Sequence, residues 1–528
     1  MIRRRDFVKL SIGATMEAAP AIARAEKSRV LRFVPVAGVS VLDPVWTPAR
    51  PTRDHGYLVF DTLYGIDESL VAQPQMAAGH TIDDDGKRWT ITLREKLLFH
   101  DGEPVLASDA VASIRRICAR EGFGRALMAA TDELSAPDDR RIVFRLKKPF
   151  PHLPQALGGC TGSMPAIMPA RLAATDPFKA ITEMVGSGPF RFVPGEFNAG
   201  NRSVYERFQD YVPRDNGKAS FLAGAKIVHF ERVEWTGMPD GATAAAALHT
   251  GEMDWVEVPE MDLLPALAGD PKLMVETNRV STAIGAARFN HLHPPFDNPA
   301  VRRALLGAID QAEAMQAVAG VDPADWRAGV GLFGPGAPLA NDEGIEVMTA
   351  PRDYDRVKRE LAAAGYKGER VVALDVADIA ELHALSNVGI EQLRRAGMNV
   401  DVQTSDFGTW IRRRFSKEVP DKGGWSVYFT LLDGSYNFTP VGNNLATGTG
   451  PNGTIGWMTA PKIDELTQAW LDAPDLDAER RVCRALQAQF WRDVPYVPMG
   501  EYTQHTCHSR AITDIPMGFP LFYGVRPA

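Results

Sequence analysis

Hydrophobic and polar positions change period along the chain, and the changes divide it into regions. Val30, Leu31, Phe33, Val34 and Val36 form a near-continuous apolar run, which predicts a buried strand closed by Gly38 and the Leu42-Asp43-Pro44 turn. After the turn signal Asp83-Asp84-Asp85-Gly86-Lys87 the pattern alternates, with Trp89, Ile91 and Leu93 on one face and Thr90, Thr92 and Arg94 on the other. Arg141 to Lys147 repeats the alternation with Ile142, Phe144 and Leu146 inward, after the Ala136-Pro137-Asp138-Asp139 turn. Between these strands, Ser108 or Asp109 can cap a helix carrying Val111, Ile114 and Cys118 on one face. Residues 56 to 183 thus read as a small α+β unit.

From 353 to 404 helix and strand signals take turns. Tyr354, Val357 and Leu361 form a helical stripe ended by Gly365, and Val371 to Val376 is a β-branched strand. Ile379 to Ala396 reads as a long helix ended by Gly397, after which Val400 and Val402 begin another strand. Strand, long helix, strand is the signature of a right-handed crossover, and so of a parallel sheet with helices packed on it. Upstream, Asn298 and Pro299 supply an N-cap and a first-turn proline for a helix through Val301, Leu305 and Ile309, with Gly320 beyond its end.

Composition narrows the classes. The chain has 528 residues, 45% hydrophobic and 23% charged, ordinary for a globular protein of several domains. A net charge of -8 offers no basic field for phosphates, so nucleic acid is not an expected partner. No run of about 18 apolar residues is present to span a membrane. Cys118, Cys160, Cys483 and Cys507 lie far apart without a CxxC, and their spacing leaves their pairing open.

The first 25 residues read as an export signal: a cationic stretch MIRRRDFVK, a moderately apolar stretch from Leu10 to Ala23, and Ala-x-Ala sites at Ala21-Ile22-Ala23 and Ala23-Arg24-Ala25. Arg4-Arg5-Asp6-Phe7-Val8-Lys9 is similar to the twin-arginine motif. Loss of the five basic and two acidic residues in this segment would take the net charge from -8 to -11.

Catalytic constellations are sparse. Two segments match GxGxxG, Gly329 to Gly334 and Gly448 to Gly453, but neither lies between a strand and a helix, and prolines at 335, 338 and 451 mark them as loops. His505-Thr506-Cys507-His508 and His291-Leu292-His293 could each offer two metal ligands, short of a site. No HExxH and no GxSxG is present. The aromatic stretch from 406 to 438, interleaved with glycines, divides between core packing and cleft lining.

Thr90 to Ser113, TITLREKLLFHDGEPVLASDAVAS, resembles the signature of the bacterial extracellular solute-binding proteins of the dipeptide, oligopeptide and nickel class, which feed ABC importers. Asp61-Thr62-Leu63-Tyr64, Gly186-Ser187-Gly188-Pro189-Phe190, Phe289-Asn290 with Pro294 to Ala304, and Ala363-Ala364-Gly365-Tyr366 extend the resemblance over the chain after its leader. It implies an α/β fold of two lobes closing over a ligand, with a small α+β subdomain as an extra. The expected division is a signal peptide at 1–25, lobe I from 26–55, 184–280 and 490–528, its small subdomain at 56–183, and lobe II at 281–489, hinged near 278–283 and 489–497.

The implied function is capture of a small ligand, a short peptide or related amino-acid conjugate, in the periplasm for a membrane permease and its ATPase. The implied protein is a monomer with neither catalysis nor an obligatory cofactor or metal. Alternatives are an oligosaccharide, opine or nickel chelate as ligand, an exported metal-dependent hydrolase using 505 to 508, or a periplasmic chaperone. By ungapped matching, Trp425-Ser426-Val427-Tyr428 falls where peptide binders place an acid for the peptide's amine, so that this position holds Tyr428 and the nearest carboxylate is Asp433. Arg288 begins the family's cleft-facing strand, where its guanidinium could fork to a ligand carboxylate. Trp46, Phe407 and Trp425 would supply walls, and Ser426 hydrogen bonds.

Overall fold

The computed structural model describes residues 30–528 apart from 160, 161, 216 and 517. The expected export signal at 1–25 and Cys160 lie outside the described residues. A mixed sheet of eleven described strands runs through the molecule. At one end lie Asn399–Ser405, Arg370–Val376 and Val427–Asp433; at the other Trp255–Val256, Val30–Val34, Arg232–Thr236, Arg202–Arg207 and Phe190–Phe192. Two long strands, Leu273–Phe289 and Tyr496–Ser509, lie between the ends and pair antiparallel with each other. Their partners differ along their length: Ala283 to Phe289 pairs with Val427–Asp433, whereas Val256 pairs with Cys507. These two strands are therefore the crossing between two α/β lobes.

The crossing is irregular. Register shifts interrupt the pairing of the long strands between Asn278 and Thr282 and between Ile284 and Ala286. A shift leaves ladder groups unpaired and lets the local twist change. The first expected hinge segment coincides with the former shift. Residues 489 to 493 of the second instead finish the helix Leu476–Asp493, and the return strand starts at Tyr496.

The predicted crossover is present. Arg370–Val376 and Asn399–Ser405 pair in parallel, with Val371 opposite Val400, and the helix Ala380–Arg395 connects them. Its Leu385, Ile390 and Leu393 bury against the sheet, with Gly389 against the Phe429 ring. The helix predicted from Asn298 toward Gly320 is broken in two, Pro299–Leu306 and Gln311–Ala319. Asn298 caps the first, accepting from Ala300 N–H, and Asp310 caps the second, accepting from Glu313 N–H. The first helix ends at Leu306 with Gly307 as its C-cap, before that second cap.

The small unit is an antiparallel sheet in the order Ala77–Asp83, Arg88–Leu93, Arg141–Leu146, Thr131–Ser135. Trp89, Ile91, Leu93, Ile142, Phe144 and Leu146 are buried, as the alternation predicts. The helix Ala107–Arg120 covers it, and the Asp109 carboxylate accepts from the Leu106 and Ala170 N–H groups. Two buried carboxylates fasten the unit to its lobe. Asp43 accepts from the Val45, Trp46 and Ile181 N–H groups and from both terminal nitrogens of Arg116, at 2.6 Å and 3.2 Å. Asp61 accepts from Lys226 at 2.8 Å and from the Tyr211 hydroxyl at 2.9 Å. The Gly186-Ser187-Gly188 segment runs so close to the helix Arg50–Val59 that a Cβ on Gly186 would sit 2.0 Å from Val59 O.

Candidate functional site

The charged seam lies where the helix Arg50–Val59 meets the end of the strand Val427–Asp433. The helix opens with Pro51, whose fixed φ and missing N–H suit the first turn. It is buried along almost its whole length, including Arg53 and Asp54 at 4% and 1% exposure, and buried charges require partners. Arg53 donates from Nε to Asp54 Oδ1 at 3.1 Å and from Nη1 to Asp433 Oδ2 at 3.0 Å, and its guanidinium stacks 3.4 Å from the Phe519 ring centroid. Its Nη2 has no hydrogen-bond partner. One turn earlier, Arg50 donates to Gln504 Oε1 at 2.8 Å and places Nε 2.6 Å from Glu257 Oε1, an ion contact without hydrogen-bond alignment.

Asp433 reaches this seam through strand register. It pairs with Ala283, next to the first register shift, and its Oδ1 accepts from Ser435 N–H to cap the turn Gly434–Asn437. Burial opposes ionisation, but the charges of Arg53 and Arg50 outweigh it and hold the Asp433 carboxyl below its ordinary range. Asp54 goes the other way: burial pushes it up to about 7, against Arg53, with Glu257 adding repulsion. Burial also raises the Tyr436 phenol to about 12. Two guanidiniums and three carboxylates thus converge, an arrangement able to match a ligand bearing both an ammonium and a carboxylate.

The residues expected at the site fall in different places. Asp433 is in the seam, 15% exposed and joined to Arg53. Arg288 is fully buried, donating from Nε to Ile455 O and from Nη1 to Leu445 O and Pro495 O. Its guanidinium ties loops to the sheet, and burial lowers its pKa to about 10, so the expected fork to a ligand carboxylate gives way to a framework role. Trp425 and Tyr428 are buried with Trp410 and Trp457 in a cluster under the helix Phe407–Arg414, where Arg414 lies 4.0 Å from the Trp410 ring centroid. Phe407 is 37% exposed and stacks on Trp410. Ser426 Oγ accepts from Val372 N–H within the sheet. Trp46 is half-buried, its Nε1 donating to Phe178 O.

The register explains the displacement. The strand begins at Val427, so Tyr428, its second residue, projects onto the helix-covered face, whereas Asp433 ends the strand on the opposite parity and enters the seam. Tyr428, at the position matched to the family's amine-binding acid, is buried in the aromatic cluster and is not part of the seam. Arg50, Arg53, Asp54, Glu257 and Tyr436 were not read from the sequence. The available signal was three charges within five residues of a short helix that opens on a proline, in a chain where helix surfaces carry many such charges.

Of the GxGxxG segments, Gly329 to Gly334 is a loop, and Gly448 to Gly453 contains the short 3-10 turn Gly450–Asn452. His505 Nε2 meets Asp325 at 2.8 Å, and His291 and His293 contact the carbonyls of Pro495 and Lys417. Among the described residues no group of three His, Cys, Asp or Glu side chains is placed to hold a metal ion. Cys118, Cys483 and Cys507 are free and buried. No helix among the described residues is long and apolar enough to cross a membrane.

Two α/β lobes joined by two crossing strands, with a charged seam between them, define a binding protein that holds its ligand between lobes. The comparisons agree. Residues 71–454 match the model for bacterial extracellular solute-binding proteins, family 5 middle, and the chain belongs to that family. A Sinorhizobium fredii protein described as "Probable peptide ABC transporter periplasmic-binding protein" is 34% identical, over 100% of both chains. Among solved structures, the binding protein AgaA of A. tumefaciens R10 in complex with agropinic acid superposes with a TM-score of 0.77 at 19% identity, covering 94% of this chain and 99% of that one. DppA of Helicobacter pylori in complex with the peptide STSA gives 0.76 at 20% identity, covering 96% and 99%. The chain is a solute-binding component of an ABC importer, and the family's place is outside the cytoplasmic membrane.

Proposed function

We propose that this protein captures short peptides or related amino-acid conjugates in the periplasm and delivers them to the permease and ATPase of an ABC importer. The observation that carries the reading is the Arg53–Asp433 pair, because it joins a helix of one lobe to a strand end of the other at 3.0 Å, where a ligand between the lobes would touch both. Asp433, with Asp54 and Glu257 behind it, receives the ligand's ammonium; Arg50 and Arg53 receive its carboxylate. A ligand that contacts both lobes binds the closed state better and shifts the equilibrium by that difference in affinity. The peptide-transport description of the Sinorhizobium fredii relative supports the choice of ligand. The two arginines also favour a second reading, an acidic conjugate such as an opine, in keeping with the agropinic acid complex of the similar AgaA fold.

In this reading, residues 1–25 are a twin-arginine export signal removed on secretion, and the mature chain acts as a monomer, without catalysis or a cofactor. Lobe I comprises 26–55, 184–280 and 490–528 with the small subdomain 56–183, and lobe II comprises 281–489. The test is thermal unfolding of the mature chain, first unfolded and refolded to strip bound ligand, against dipeptides, tripeptides, opines, nickel-histidine and cello-oligosaccharides. A ligand at about 100 times its dissociation constant adds about 2.7 kcal/mol of stability. A shift with peptides or opines supports the reading, and a shift confined to oligosaccharides or nickel-histidine overturns it.

A further inference from the structure

A cavity of about 300 Å³ is lined by none of the residues of the site described above. Its walls come from both sides of the molecule. Phe123, His152 and Gln155 belong to the small α+β unit, and Phe438, Trp470 and Leu476 to the stretch that packs across from it. The rings touch across the gap: His152 stacks on Trp470 with centroids 4.2 Å apart and planes 20° apart, and Phe123 lies 5.8 Å from Trp470. His152 Nε2 faces Trp470 O at 3.2 Å, and burial lowers its pKa, which keeps the imidazole neutral. Trp470 Nε1 donates to Glu479 Oε2 at 3.1 Å, which fixes the indole plane, and Glu479 itself lines the cavity. Gln155 Oε1 has no hydrogen-bond partner, leaving a free acceptor on a wall that also carries Ser69, Thr439 and Glu479.

The chain runs directly from the seam to the cavity. Asp433 caps the turn Gly434–Asn437, and Phe438, the next residue, lines the cavity. Glu121, two residues before Phe123, lies close enough to raise the Tyr436 phenol, and a Cβ on Gly122 would stand 3.9 Å from Val441 O. Resting on the peptide reading above, we infer that this cavity is a side-chain pocket selecting an aromatic residue of the peptide whose charged groups occupy the Arg53–Asp433 seam. Aromatic walls from both sides suit offset or edge contacts with a third ring. The volume stands at the lower bound of small-ligand pockets, which suits one side chain rather than a whole ligand. An aromatic group here would touch both sides and so add to the closing force.

The experiment is calorimetric titration of the mature protein with Ala-Ala-Ala, Phe-Ala-Ala, Ala-Phe-Ala and Ala-Ala-Phe. The expected result is that one phenylalanine position binds at least tenfold more tightly than Ala-Ala-Ala. Leu476 is 44% exposed at the cavity's edge, so a larger side chain there is compatible with folding. Leu476→Trp is expected to fill the cavity and abolish the phenylalanine gain while leaving the affinity for Ala-Ala-Ala within twofold. Trp470→Leu, checked for folding by circular dichroism, should reduce the same gain. Equal binding of all four tripeptides, or a gain untouched by Leu476→Trp, would overturn the pocket while leaving the peptide reading intact. No binding of any of the four would overturn the peptide reading, and with it the pocket's occupant.

Discussion

Replacing Asp433 by Asn tests whether the seam holds the lobes together. The amide keeps an oxygen that can cap Ser435 N–H but removes the charge facing Arg53. Fully exposed pairs contribute about 0–1 kcal/mol, and breaking fully buried ones costs about 3–5 kcal/mol. With side-chain exposures of 4% and 15%, and with Asp54 remaining beside Arg53, the coupling should lie between these limits, at about 1–2 kcal/mol. That corresponds to roughly a 5- to 30-fold change in the ratio of closed to open ligand-free molecules. Small-angle scattering should report a larger radius of gyration for Asp433→Asn than for the parent chain. A cycle with Arg53→Met and the double variant isolates the pair, because Arg53→Met also removes the Asp54 and Phe519 contacts and these cancel. Identical scattering for all four proteins, with a coupling energy below about 0.3 kcal/mol, would refute the idea that this pair links the lobes.

Three further outcomes follow from the same structure. Asp54 has a folded pKa of about 7, above its ordinary 3.8, so the folded state binds the extra proton and stability falls as pH rises between about 4 and 7. Asp54→Asn should flatten that part of the profile in urea unfolding, and an unchanged slope would assign it to other groups. Arg288→Met removes the donor to two buried carbonyls and one partly buried one and should destabilise by about 3 kcal/mol or more, read as a fall in unfolding temperature. An unchanged temperature with altered ligand preference would instead restore Arg288 to the binding site. A methyl group at Gly389 would meet the Phe429 ring at 2.1 Å, so Gly389→Ala should cost about 1–3 kcal/mol despite the better helix propensity of alanine, and denaturant midpoints would show it.

What the sequence makes legible is what local chemistry decides. Asn298-Pro299 announces a helix start because cap and first-turn proline act within one turn, and the period change around Val371 to Val402 announces a parallel crossover. The break between Leu306 and Gln311 is not legible because Ile309 continues the apolar stripe across it, and only the single carboxylate of Asp310 marks the new start. The site was harder to read for a different reason. Arg288 and Arg53 are both arginines in buried elements, yet one meets only carbonyls and the other two carboxylates, and only long-range packing separates them. Tyr428 and Asp433 differ by five residues along one strand, hence by face, so the choice between them rests on where the strand begins. The aromatic stretch from 406 to 438 was divided between core and cleft, and Trp410, Trp425 and Tyr428 went to the core.

The carboxylates of Asp43 and Asp61 limit how many parts can move. Each is buried and holds the small unit to its lobe through a cation and further donors, Arg116 with three backbone N–H groups in one case, Lys226 with Tyr211 in the other. Rocking the unit alone would strip a desolvated charge of its partner, which is far costlier than bending at a register shift that is already unpaired. On the proposed division into two lobes and a subdomain, the three packed bodies would therefore move as two. The proposed seam and aromatic cavity would then close together, against a single jaw on that side.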